Sequence, residues 1–194
     1  MGTITKWSVF WVLVVGLALT VPLGGIGPSP ALGCDLTKGW MTGGGSIFFT
    51  TNGAEVQYGG QSGPSGRVTH GFVVHCTPRH SDSLEIVDHS TGFNFHLLEL
   101  TQATCSDNPL IDPNPPGAAF DTFQGAGIGR CKMPSAKSWQ PCYIEFIFTD
   151  AGEPGCLGDF ADIKITAGSE PGGGVLLSID GYVDCGNHQA HDGY

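Results

Sequence analysis

The chain has 194 residues, 18 of them acidic against 8 basic, and a formal net charge of −10. No basic run stands out against that excess, which excludes a cationic face for nucleic acid or for an anionic membrane surface. An acidic surface suits solubility outside a cell; as a second reading it suits a hard cation such as calcium.

The first segment reads as an address and not as fold. Lys6 is its one charge, Trp7 to Val21 is apolar or small, Pro22 stops the run, and Gly27 to Gly33 is small and turn-rich. That is the plan of a secretory signal peptide over residues 1–31, cleaved before Leu32. The apolar run falls short of the roughly 20 residues a spanning helix needs, so no membrane span is expected once the leader is removed. Leu32-Gly33-Cys34 raises lipid anchoring at Cys34 as the lesser alternative, because a lipoprotein Cys normally sits close behind the apolar core. Residues 32–194 are then one exported domain.

Short apolar runs separated by turn clusters follow along the rest of the chain. Arg67 to Cys76 alternates, with Val68, His70, Phe72, Val74 and Cys76 on one face and Thr69, Gly71, Val73 and His75 on the other. Leu84 to Val87 is a second strand. Phe93 to Thr101 is a third, with Phe95 and Leu97 opposing His96, Leu98 and Leu100. Ser106 to Phe120 is a proline-stiffened loop. Tyr143 to Thr149 places Ile144, Phe146 and Phe148 on one face. Ala161 to Thr166 alternates Ile163 and Ile165 with Asp162 and Lys164, and Val175 to Val183 completes the set. No window carries a 3.6-residue apolar period. The fold expected is all-β: a disulfide-stapled β-sandwich or flattened barrel of about eight to ten strands.

Seven cysteines lie beyond the leader. In an exported chain they read as disulfides. Six could form three bridges in fifteen ways; the expected set is Cys76–Cys105, Cys131–Cys142 and Cys156–Cys185, with Cys34 left over. The absence of a Cys-x-x-C pair removes support for a zinc knuckle or a thioredoxin-type site.

Gly43-Gly44-Gly45 follows Trp40-Met41-Thr42 and precedes Ser46-Ile47-Phe48-Phe49. A phosphate loop needs a helix start behind it, and this run continues as a strand. The stretch therefore reads as a first strand with a glycine bulge or a close backbone crossing. It also resembles the opening signature of a family of exported bacterial proteins whose domain begins with Thr-Gly-Gly-Gly and ends with Gly-Asn-x-Gln-x-His. The ending is present as Gly186-Asn187-His188-Gln189-Ala190-His191. Thr69-His70-Gly71-Phe72, Phe120 to Gly125 and Phe148 to Gly155 fit the same pattern, and the domain is similar to the post-COAP-1 domain of surface proteins. The resemblance implies an exported β-rich domain and carries over no catalytic residue. The extra cysteines depart from the simpler members, so no shared disulfide pattern is carried over either.

Three groups of residues could carry chemistry. Asp150, Glu153, Asp159 and Asp162 fall between two strands with three glycines among them, a supply of oxygens that could wrap calcium; the plainer reading is an acidic turn. His188 and His191 at the chain end, with His70 and His96 on strands, could converge on an open zinc site if the chain end is a turn. The plainer reading there is a buried His bonding a carbonyl and a terminal His in solvent. Trp40, Tyr58, Trp139, Tyr143, Tyr182 and Tyr194 could form a sugar-stacking platform. No Gly-x-Ser-x-Gly elbow or carboxylate pair supports a hydrolase. The function expected is a non-catalytic secreted or cell-surface module that binds a surface or matrix component, polysaccharide included. The alternatives are a metal-dependent secreted enzyme with a histidine site, and a self-assembling extracellular subunit.

Overall fold

The computed structural model describes residues 38–50, 65–111, 117–155 and 158–193. The expected leader, Cys34 with its lipid alternative, Tyr58, Cys156 and Tyr194 lie outside those residues.

Among the described residues nine strands follow in order: β1 (Trp40–Thr50), β2 (Ser65–His75), β3 (Ser83–Asp88), β4 (Phe93–Ser106), β5 (Thr122–Lys132), β6 (Gln140–Thr149), β7 (Phe160–Ala167), β8 (Val175–Tyr182) and β9 (Cys185–His191). They form one antiparallel sheet in the order β8-β7-β6-β5-β4-β3-β2-β1-β9. β1 to β8 is a meander in which each strand pairs with its predecessor. β9 then leaves that pattern and pairs with the far side of β1. Only Val183 and Asp184 join β8 to β9, yet these strands are the two ends of the sheet. The three Cα–Cα steps from Tyr182 to Cys185 reach only about 11 Å, so the sheet must curl until its ends are close. The result is a curled half-barrel, the flattened-barrel form of the expected all-β fold.

The period-two alternation decides which side chains fill the interior. Phe72 on β2 stacks on Phe148 on β6 with ring centroids 4.2 Å apart. Those strands are four places apart in the sheet, so the contact crosses the interior. Phe95, Phe123, Ile144, Ile163 and Ile165 are fully buried around it. β5 (Thr122-Phe-Gln-Gly-Ala-Gly-Ile-Gly-Arg-Cys-Lys) was not among the expected strands, because its inward positions are mostly glycine. Those glycines make room for rings: a Cβ on Gly125 would strike Phe146, and one on Gly129 would strike Phe95. The alternation expected for β4 also needs correcting. Register shifts between Leu97 and Glu99 and between Leu100 and Gln102 turn Leu100 inward, where it is buried, and leave Leu98 63% exposed.

Two of the expected bridges are present, Cys76–Cys105 with Cα atoms 5.5 Å apart and Cys131–Cys142 at 5.9 Å. The first ties the end of β2 to β4; the second clamps the β5–β6 hairpin. Both fit an oxidising compartment. The expected Cys156–Cys185 pair involves a residue outside the described ones. No helix among the described residues is long and apolar enough to cross a membrane.

The two kinds of strand glycine predict opposite outcomes. Gly129→Ala forces a methyl into the Phe95 ring, and a loss of roughly 1–3 kcal/mol is expected in urea unfolding. Gly71→Ala on the outer face meets nothing within 4 Å. It is expected to be neutral or stabilising by up to about 1 kcal/mol, as for other strand glycines. Equal losses at the two positions would contradict this account of β5.

Candidate functional site

The most concentrated group of polar side chains in the interior lies where β1 runs between β2 and β9. The inward positions of β1 are Met41, Gly43, Gly45 and Ile47. Gly43 lies opposite Phe72 on one side and His188 on the other; Gly45 lies opposite His70 and Gly186. With no side chain at 43 or 45, imidazoles from β2 and β9 meet over the top of β1. His70 Nε2 and His188 Nε2 are 2.8 Å apart, and both residues are buried. A Cβ on Gly43 would run into Asn187 and His188. Aromatic rings wall the pair: Phe148 stacks on His70 at 5.3 Å, and Phe72 meets His188 edge-on at 5.1 Å.

The partners settle the tautomers. His188 Nδ1 is 2.9 Å from the Thr149 carbonyl, an acceptor only, so Nδ1 carries the proton. In the neutral ring Nε2 is then a lone pair, and His70 Nε2 must donate to it. That leaves His70 Nδ1 as a bare lone pair, and it is buried with no partner among the described residues. Burial disfavours the charged form of both rings. It lowers His70 to about 3, helped by the neighbouring His188, and lowers His188 to about 4.

β9 is an edge strand, and its far side is closed by carboxylates. Asp159 accepts from the His188 N–H at 2.5 Å and from the Ala151 N–H at 2.9 Å. Asp150 accepts from the Ala190 N–H at 2.8 Å and from the Gly152 N–H at 2.9 Å. Glu153 Oε1 accepts from the side chains of Asn187 and Gln189, each at 2.7 Å. The loop after β6 thus holds β9 through side chains where a further strand would have used its backbone. Burial pushes the Asp159 carboxyl up to about 7 and raises Asp150 as well. Asp121, which the sequence reading passed over, supports this loop through its carbonyl, bonded by the Asp150 N–H at 2.8 Å.

Three of the four candidate calcium ligands, Asp150, Glu153 and Asp159, therefore act together, as a clasp on backbone and amide donors. Asp162 does not join them; it projects from the outer face of β7. The candidate zinc histidines divide in the same way. His70 and His188 meet. His191, three residues on in a regular strand, faces outward and bonds Thr42 Oγ1 at 3.0 Å while stacking on Trp40 at 5.0 Å. His96 is on the outer face of β4, 2.9 Å from Glu85 Oε1 and against the edge of Trp139. The chain end is a strand and not a turn, so the three-histidine convergence does not form. Among the described residues no three His, Cys, Asp or Glu side chains are placed to hold a metal. Among the described residues no aromatic platform assembles either: Trp40 stacks on His191, while Trp139 meets His96 edge-on and Tyr182 meets Phe160 edge-on.

Fold and site together define a disulfide-stapled antiparallel β protein closed by a buried histidine pair and a carboxylate clasp. No family model matches the chain, and no solved structure matches it. Two bile salt hydrolase/transferase proteins of Bifidobacterium longum are each 28% identical to it over 75 residues, 39% of this chain. The match spans 24% of the length of those relatives.

The buried groups set a pH dependence. An unfolded imidazole titrates near 6.5, and both folded rings stay neutral to about 4 or below. Their stability is therefore present above pH 6.5 and lost as pH falls toward 4. Asp159 opposes them: its folded value of about 7 exceeds the ordinary 3.8, so its contribution is lost as pH rises toward 7. Between pH 4.5 and 6 the two imidazoles outweigh Asp159, so these three sites take up protons on unfolding and lower stability on acidification. His70→Gln, whose amide can donate to His188, is expected to lower the pH slope of stability in urea melts across the window. An unchanged slope would remove the pair from the account.

Proposed function

We propose that the chain is a non-catalytic secreted or cell-surface module with a structural or ligand-binding role, its partner a surface or matrix component such as a polysaccharide. The observation that carries this is the fate of the reactive groups. The two paired histidines are sealed in the interior, and all four oxygens of Asp150 and Asp159 bond backbone N–H groups. General acid–base or metal chemistry needs such groups within reach of a substrate. Here they hold β9 in place. The leader-like residues 1–31, the two disulfides, and the end motifs resembling those of exported bacterial domains support export.

The test is made on protein purified from an exporting host without chelators or affinity tags. We expect no stoichiometric zinc or calcium by elemental analysis, a melting temperature unchanged by EDTA, and no hydrolysis of bile salts. Stoichiometric zinc that is lost in His70→Gln would overturn the reading in favour of the metal-dependent enzyme. Turnover of bile salts would overturn it in favour of a hydrolase.

A further inference from the structure

We propose that the outer face of β4 to β7 is a binding site for a neutral, hydroxyl-rich ligand, a segment of an oligosaccharide chain. The proposal rests on the ligand-binding reading above and assigns that reading a place and a ligand class.

The registers place outward side chains in rows across the strands. One row is Thr104, Gln124, Ile147 and Asp162; the next is Gln102, Ala126, Glu145 and Lys164. Adjacent members of a row stand about 4.8 Å apart, the strand spacing. Ala126 is the short member of its row, between the longer Gln102 and Glu145. Over it lies a trough of about 490 Å³, within the roughly 300–1,000 Å³ of small-ligand sites.

The trough has a built wall. The β7–β8 connection is held by the Ala167 N–H on the Gly174 carbonyl at 2.9 Å and the Gly168 N–H on the Pro141 carbonyl at 3.1 Å. It brings Pro171 to the rim. Tyr143, although on the outer face, is only 7% exposed and lines the trough. Thr166 lies opposite Tyr143. Its hydroxyl is buried with no hydrogen-bond partner among the described residues.

The lining selects the ligand class. Amides, hydroxyls, carboxylates and an ammonium supply both donors and acceptors, which is what vicinal hydroxyls require, since each hydroxyl donates once and accepts twice. Two carboxylates against one ammonium disfavour an anionic ligand. Lys164 stands 3.5 Å from Glu145 and two residues from Asp162 on the same face of β7, which disfavours a bare cation. The Glu145–Lys164 pair is about half exposed on each side. Such surface pairs contribute little to stability, so both groups are available to a ligand.

The test uses the full chain as its host exports it, titrated calorimetrically with cellopentaose, maltopentaose and chitopentaose, and with pentagalacturonic acid as the anionic comparison. At least one neutral pentasaccharide is expected to bind, and the galacturonate is not. Ala126→Trp, which fills the trough, should weaken binding at least about tenfold. Glu145→Gln should weaken it in the same direction, and Glu85→Gln on the outer face of β3 should leave it unchanged. Glu145→Gln preserves the test if Ala126→Trp fails to fold by near-ultraviolet circular dichroism. Binding undiminished in the trough variants overturns this site while leaving the binding-module reading standing. Preference for the galacturonate overturns the ligand class. No binding of any neutral sugar overturns the proposal outright; sedimentation of the same protein with its host's cell surface then decides separately whether the module reading survives.

Discussion

The missing side chains at Gly43 and Gly45 are what allow this sheet to close. β1 is the strand between β2 and β9, and any inward side chain at those two positions would separate the histidines that join its neighbours. His70 sits opposite Gly45 and His188 opposite Gly43, so the imidazoles meet diagonally over bare backbone. A second fastening then acts on the other side of β9, where Asp150 and Asp159 take the two backbone N–H groups that point away from β1. Exposed strand edges are templates for pairing with other chains. Capping these donors with carboxylates turns an edge into a seam, and it does so without a tenth strand.

Such a polar seam inside an aromatic core is a poor source of stability. A buried hydrogen bond contributes about 1 kcal/mol net, and the unpartnered Nδ1 of His70 together with the burial of the Asp150 and Asp159 carboxyls offsets much of that. What the seam supplies is register. A slip of β9 by one residue would turn His188 outward and His191 inward. It would also take the His188 and Ala190 amides away from Asp159 and Asp150. An apolar strand end could slide and still bury its side chains. This one satisfies its donors in a single position, which matters for a last strand that must find the first strand of a long meander.

The parts of the fold legible in the sequence are those where one face is apolar and the other polar. β2, β6 and β7 declared both their existence and their inward residues, and the all-β class followed from them. β5 was not legible, because its inward face is written in glycine and the rings it accommodates belong to β4 and β6. Leu100 went to an unexpected face because a bulge is a matter of register between strands and leaves no local mark, whereas His96, ahead of the shifts, kept the face opposite Phe95. The carboxylates of Asp150, Glu153 and Asp159 were visible as a cluster, and an acidic cluster with glycines suggests a cation. Their real partners are amides some 30 to 40 residues downstream, which no local spacing announces. The end motifs held the most usable signal. A Thr-Gly-Gly-Gly start and a Gly-Asn-x-Gln-x-His finish make sense together once the glycines are seen as the space into which the histidine reaches.

Closing the interior in this way also decides where a ligand has room. The inside of the half-barrel is filled by Phe72, Phe95, Phe123, Phe146 and Phe148 and sealed at its seam by the histidine pair. The groups that in another fold would face a substrate are committed to that seam. Under the proposed reading, a ligand is left the outer face, where Glu145, Asp162 and Lys164 have no part in the core. The same strands serve both sides: the glycines of β5 let the phenylalanine rings pack beneath it, and Ala126 between two of those glycines opens the hollow above it. Small residues on alternating faces of one strand thus build the core and shape the surface at once. That is why the least strand-like sequence in the chain lies at the centre of both.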